Sequence, residues 1–340
     1  MKRALTSLVL ALLALSATLV GCDKTPDPTQ LETTKLTEQM RVDAISDTLF
    51  FRRVSFIDEA GNDLIILCDE PRYVIRTDKD FNFINKIGHQ GRAQNEYQFA
   101  AEMIVKDGDV YVLDYVTGLK KYTIEGKHIE DIKIPDDFYR SKSHCLIDGK
   151  IYSSLINKEN GTTLARVDIG GEQIEAFGTY EDINYGHEMR TEHFNGGYLS
   201  AHSSDLIALR HERYIERYNK NLELTERYDL YSVPMVQEII DRKMAECLGE
   251  RIPTDENAFI SLNNALATVV AKGDKLYIIY RPLDLNTKDT KILVVNVKGK
   301  IAPERIYHIE GTRFWKFAID DDFLYACPAG GGEIVQYRLP

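Results

Sequence analysis

One phrase recurs along this chain, and it constrains the fold more than any other feature. From Asp63 to Gly88 the sequence reads LIILCDEPRYVIRTDKDFNFINKI between those two residues: an apolar strand, a turn, a second strand, a polar turn, a third strand. The phrase returns from Asp109 to Pro135 as VYVLDYVTGLKKYTIEGKHIEDIKI, and looser copies open at Lys150, Asp205, Lys275 and Asp322, six in all. The strands are short and rich in Val, Ile and Tyr, and the turns carry Asp, Asn and Gly, which tolerate tight reversals. Such strands at a period of about 40–70 residues, with the excess in insertions, are the signature of a β-propeller whose copies are four-stranded blades. The chain is therefore read as all-β, a six-bladed β-propeller spanning residues 38–340.

The strand missing from the front of a copy lies just upstream. AEMIVKD precedes the copy at Asp109, HCLID the one at Lys150, ALATVVAK the one at Lys275 and FWKFAID the one at Asp322. These strands would line the central channel. A strand packed on both sides need not alternate strictly, and ALATVVA does not. The last copy lacks its fourth strand. The segment Leu36–Ser46, with Leu36, Met40 and Val42 on one side, is expected to supply it, because an unpaired edge invites aggregation.

Ahead of the repeats stands an export signal. Lys2 and Arg3 precede an uncharged run from Leu5 to Val20, at about sixteen residues rather short for a spanning helix. It ends in Leu19-Val20-Gly21-Cys22, the form of a bacterial lipobox in which Cys22 is lipidated and becomes the mature N-terminus. Residues 1–21 are thus read as a lipoprotein signal peptide and 22–37 as a polar tether with little to bury. The expected location is the bacterial cell envelope, with the membrane as a partner through the lipid. The formal net charge is −11, with no long basic run, so nucleic acid is not an expected partner. Cys68, Cys145, Cys247 and Cys327 are scattered, without a CxxC pair, and read as buried small hydrophobes.

The stretch TDKDFNFINKIGHQGRAQNEYQF, Thr77 to Phe99, carries a resemblance. It resembles the six-bladed β-propeller lipoproteins of Bacteroidetes, with TolB-like or NHL-like blades, whose pattern runs F-D-x-x-G-x-F-x-x-x-I-G-x-x-G-x-G-P-G-E-Y. Asp78, Phe83, Ile87, Gly88, Gly91, Glu96 and Tyr97 keep that pattern. Ala93, Gln94 and Asn95 depart from it where the family has Gly-Pro-Gly, as do Phe81 and Asn82 in the turn. The resemblance implies the fold and says little about activity, because propellers host many unrelated functions. Within the stretch, Gly88-His89-Gln90-Gly91 fits neither a dinucleotide fingerprint nor a P-loop, and no cofactor is expected. Gly91 is expected to turn the chain inward, and Glu96 and Tyr97 to fix the crossing to the next blade, with the carboxylate accepting backbone N–H groups.

Two insertions interrupt the rhythm. Thr179–Gly197 holds His187, Arg190 and His193 among acids and tyrosines. Ser232–Ala258 carries Met235, Val236, Ile239, Ile240, Met244, Cys247 and Leu248 at helical spacing, with Pro234 and Gly249 as punctuation, which predicts a helix over about 233–249 docked on the propeller. Both insertions link the last strand of one blade to the first of the next. In a propeller these connectors share one rim with the loops between second and third strands, of which 155–161 and 282–289 are longest. That rim gathers the candidate ligand-binding residues: His89, Arg92, Glu96, Tyr139, Arg140, His187, Arg190, His193 and Arg281. His187 and His193 with Glu188, Glu192 and Asp182 match no zinc spacing, so no metal is expected. His202-Ser203-Ser204-Asp205 holds triad residue types only as neighbours in sequence, no G-x-S-x-G elbow is present, and no catalytic residue is assigned.

Three functions fit these features. The first is a membrane-anchored, non-catalytic binding module, a monomeric propeller whose loop-rich rim holds a protein, peptide or glycan. The second is an extracytoplasmic hydrolase or lyase acting on carbohydrate or peptide, which would need paired acids or a metal at the channel mouth. The third is a scaffold in an envelope complex, which would have its channel plugged by apolar side chains.

Overall fold

The computed structural model describes residues 26–340 apart from 47–48, 71, 94, 142, 250–263, 265 and 282–287. The signal peptide, Cys22 and most of the 282–289 loop therefore lie outside the described residues. Among the described residues, six blades, each with four antiparallel strands, form a ring. Their inner strands are Arg53–Ala60, Ala100–Lys106, His144–Ile147, Gly197–His202, Leu266–Lys272 and Phe314–Ile319, which number blades 1 to 6. Each inner strand touches those of both neighbouring blades, and Phe314–Ile319 touches Arg53–Ala60, so the ring closes.

The repeated phrase has a direct physical reading. Second strands are buried through their middle, as Leu64–Cys68 of Asp63–Glu70 is at every residue, because a blade is covered on both faces by its neighbours. Six apolar clusters result, one in each gap between adjacent blades. Ile65, Leu67 and Val74 of blade 1, for example, meet Met103, Val110 and Val112 of blade 2. Among the described residues no disulfide forms: Cys68, Cys145 and Cys327 are buried in this packing, and Cys247 is buried where the two insertions meet.

Ring closure uses the N-terminal segment. Thr37–Val42 pairs antiparallel with Ile334–Arg338 and becomes the outer strand of blade 6. The ordered chain also begins earlier than its composition suggests. Glu32–Lys35, read above as tether, adds a parallel fifth strand to blade 5 beside Arg305–His308. Leu36, between the two pairings, is 4% exposed and packs with Tyr307, Ile309 and Tyr337. Backbone pairing on an open edge and this one leucine hold the segment; its threonines gave no apolar period to read.

The insertions form a lobe on blade 4. Helix α1, Glu188–Asn195, was not visible in the sequence, because its buried face is Arg190, Thr191, Phe194 and Asn195, not an apolar stripe. Helix α2, Pro234–Gly249, matches the predicted one and buries Val236, Ile239, Ile240 and Cys247. Its face is rotated slightly from expectation: Lys243 is buried and Leu248 is 54% exposed. The two insertions meet through Tyr185, Phe194 and Cys247, and Arg190 Nη1 donates to the Cys247 carbonyl at 2.8 Å.

Candidate functional site

The rim residues singled out by sequence do not converge on one point. His89 and Arg92 are exposed on the crossing from blade 1 to blade 2. Glu96 accepts the Ala93 N–H at 2.8 Å, and the buried Tyr97 hydroxyl accepts the Val74 N–H at 3.0 Å, so this pair fixes the crossing. Gly88, not Gly91, takes the left-handed conformation there, at φ +62°. Gly91 matters in a different way, since a Cβ on it would lie 1.9 Å from the Glu96 carboxylate and displace that group from the Ala93 N–H. Tyr139 packs its hydroxyl beside Gly118. The Arg140 side chain lies outside the described groups.

In the insertion lobe, His187 caps α1 by accepting the Met189 N–H at 3.1 Å. His193 Nε2 meets Asn264 Oδ1 at 2.8 Å. Arg190 is 1% exposed and ties α1 to α2, so it is a packing residue and not a rim residue. Arg281 lies over the exposed Trp315 ring, 5.1 Å from its centroid. His187 borders an open hollow of about 390 Å³ with Lys158, Tyr180 and Asp182. Among the described residues no group of three or more His, Cys, Asp and Glu is placed to hold a metal.

The best-formed concavity is the channel itself. It encloses about 600 Å³, between all six inner strands, and none of the eight rim candidates with described side chains lines it. Its wall is polar and charged. Glu102 of blade 2 reaches His144 of blade 3, with Nδ1 at 2.6 Å from Oε2. His144 Nε2 faces the Phe138 carbonyl at 2.8 Å. With Glu102 as a carboxylate both ring nitrogens face acceptors, an arrangement that an imidazolium–carboxylate pair satisfies. Burial pulls the His144 pKa down, but the Glu102 carboxylate outweighs it and the net shift is upward.

Deeper in the channel, Lys272 of blade 5 pairs with Glu59 of blade 1. Asp58 touches channel space yet has protein on every side, and burial pushes its carboxyl up to about 6 although the Glu59 and Val105 N–H groups favour the anion. Lys316 of blade 6 lies over the Phe56 ring, 4.4 Å from its centroid, and burial lowers its pKa.

At the mouth, the buried Asp114 carboxylate accepts the N–H groups of Phe99 and Val116 at 3.2 and 2.8 Å and the Thr117 hydroxyl at 2.8 Å. It thereby ties the blade-crossing chain to the loop after Asp109–Asp114. The tie sets the half-exposed rings of Phe99 and Tyr115 in a stack, 5.8 Å between centroids, and Tyr115 lines the channel. Sequence reasoning missed this site because its charges come from different inner strands, far apart in the chain. The signal that could have found them was a charge inside a predicted inner strand, away from its ends: Glu102 in AEMIVKD, Lys316 in FWKFAID.

By sequence the chain matches no family profile and no curated protein. Its fold is similar to that of a Bacteroides fragilis protein described as exported, with a TM-score of 0.55 at 12% identity, over 93% of this chain and 96% of that one. It is also similar to a member of the DUF4221 family from Bacteroides vulgatus, with a TM-score of 0.54 at 12% identity, over 89% of this chain and 97% of that one. At such identities the likeness is one of fold: a six-bladed propeller shared along nearly the whole chain.

Proposed function

We propose that this chain is an exported, lipid-anchored propeller that acts as a non-catalytic binding module, with its ligand seated in the mouth and upper part of the central channel. Export and anchoring rest on the lipobox ending at Cys22 and on the resemblance to propeller lipoproteins; the fold-related Bacteroides protein described as exported is in keeping with them. One observation carries the binding reading. The channel is an open space of about 600 Å³ with charged walls and a stacked aromatic pair at its mouth. That volume lies within the range typical of small-molecule sites, and convergent polar groups give such sites their selectivity. An open charged channel also weighs against a scaffold with an apolar plug.

The test is a thermal-shift screen of the purified protein against glycans, short peptides, small metabolites and divalent metals, since a ligand of the folded state raises the melting temperature by mass action. Ser200→Trp, which fills the channel from blade 4, should abolish the shift while Arg92→Ala on the rim should not. A ligand whose shift survives Ser200→Trp and disappears in Arg92→Ala would move the site back to the rim.

The hydrolase reading draws on Asp58, a carboxyl held near pH 6 in a cavity, as general acids are. Turnover of a glycan or peptide by the wild type that Asp58→Asn abolishes would favour it.

A further inference from the structure

The channel carries a charge opposite to that of the protein. The chain as a whole has a net charge of −11. Around the channel, four cationic groups, Lys106, Lys272, Lys316 and the His144 imidazolium, face three carboxylates, Asp58, Glu59 and Glu102. Two of these carboxylates are already engaged, Glu59 by Lys272 and Glu102 by His144. The third, Asp58, has its pKa pushed up to about 6 by burial and lies outside ion-pair distance of Lys316. Among the described residues no carboxylate lies within ion-pair distance of Lys316, whose neighbour is the Phe56 ring. Lys316 faces the open channel without a counter-ion, and an ammonium that burial disfavours and no carboxylate pairs is one that an anionic ligand would complete.

The surroundings narrow the ligand. Low-dielectric walls concentrate the field of the Lys316 and Lys106 ammonium groups, which no carboxylate pairs among the described residues, into the channel. No arginine lines the described channel, so the forked donors that favour phosphate are missing there. A surplus of about one positive charge matches one carboxylate. Phe56 beside the ammonium and Tyr115 at the mouth offer ring faces for the rest of the molecule.

We propose that the channel binds a small carboxylate-bearing molecule, its carboxylate on the Lys316 ammonium and its body against Phe56 and Tyr115. This rests on the channel being the binding site, as argued above.

Isothermal titration of the purified protein at pH 7 with benzoate and D-glucuronate, each beside its neutral twin benzamide or D-glucose, tests it. At least one carboxylate should bind tenfold or more tightly than its twin. Lys316→Met should weaken that carboxylate at least tenfold, and Lys316→Arg should retain part of the affinity. Free Lys316→Met should melt above the wild type, since it removes an unpaired charge. Should that variant fail to fold, protection of Lys316 from reductive methylation by the bound carboxylate reads the same contact in the wild type. Inorganic phosphate is the competing anion. Equal binding of twins, phosphate binding tighter than either carboxylate, undiminished affinity in Lys316→Met or no saturable heat from either carboxylate each overturns the inference. A neutral ligand that binds and is blocked by Ser200→Trp would leave the channel reading standing while removing the carboxylate one.

Discussion

Asp58 and His144 make the channel wall sensitive to pH, and in the same direction. Asp58 has its folded pKa raised from 3.8 to about 6, so the folded protein holds a proton that the unfolded chain releases. Between about pH 4 and 6 its contribution to stability therefore falls as pH rises, by about 2 kcal/mol once channel water is allowed for. The His144 pKa is raised above 6.5, so its pair with Glu102 contributes fully below that value and is lost as pH climbs through the folded one. Denaturant unfolding from pH 4 to 8 should show Asp58→Asn gaining on the wild type across the lower half of the range. His144→Gln should be most destabilised at the acid end. The differences between variant and wild type are the quantity to measure, because carboxylates such as Asp320, held low by Lys79 and backbone N–H groups despite burial, bend the curve the other way. A pH-independent difference for Asp58→Asn would show that the carboxyl is not perturbed. None of this was legible in the sequence, where Asp58 is one acid in an ordinary alternating strand. Its burial and its N–H donor from Val105 of blade 2 exist only after the blades meet.

At the scale of elements, the insertion lobe depends on one buried ion pair. Lys243 of α2 donates to Glu212 at 2.7 Å, with the two side chains 4% and 1% exposed. Glu212 also accepts the Leu266 N–H at 3.2 Å, and its own backbone, like that of His211, is left-handed, at φ +56° and +50°. Two such residues in succession make the tight turn between the second and third strands of blade 4, a conformation usually left to Asn and Gly. The Lys243 ammonium lies 3.1 Å from the centroid of Phe194 in α1, so one side chain touches both insertions and the propeller. Lys243→Met should strand the Glu212 carboxylate and cost about 3–5 kcal/mol. Hydrogen exchange should then speed up in both helices ahead of the blades. Lys243→Met combined with Glu212→Gln should recover part of the loss; a double variant whose loss equals the sum of the two single losses would mean that the pair is not coupled. Sequence periodicity found α2 because its buried face is mainly aliphatic. It could not find α1, whose face is held by Arg190 and Asn195 hydrogen bonds, nor the need for Lys243, which reads as an exposed helix charge.

For the whole molecule, the repeat made the ring readable, and closure is where the ring is most vulnerable. Leu64–Cys68 and its counterparts show as unbroken apolar runs because blades bury both faces, and that regularity fixes blade number. The ends of the ring have no repeat to announce them. Residues 32–42 form the outer edge of blade 5 by parallel pairing and of blade 6 by antiparallel pairing, so one segment laces two blades together. Deleting residues 26–46 would open two sheet edges, expose the apolar side of Ile334–Arg338 and remove Leu36 from its contacts with Tyr307 and Tyr337. The lost pairing and burial amount to on the order of 5 kcal/mol, which for a domain of this size lowers the melting temperature by about 10 °C. The bared edges should also associate, so the deleted protein should elute as larger species than the intact protein at the same concentration. Replacing only Glu32–Lys35 with a Gly-Ser run separates the two roles. Blade 5 retains four strands without this segment, so the change should lower the melting temperature by a few degrees and leave elution unaltered. A deletion of 26–46 that melts and elutes like the intact protein would show that the ring holds without its N-terminal lace.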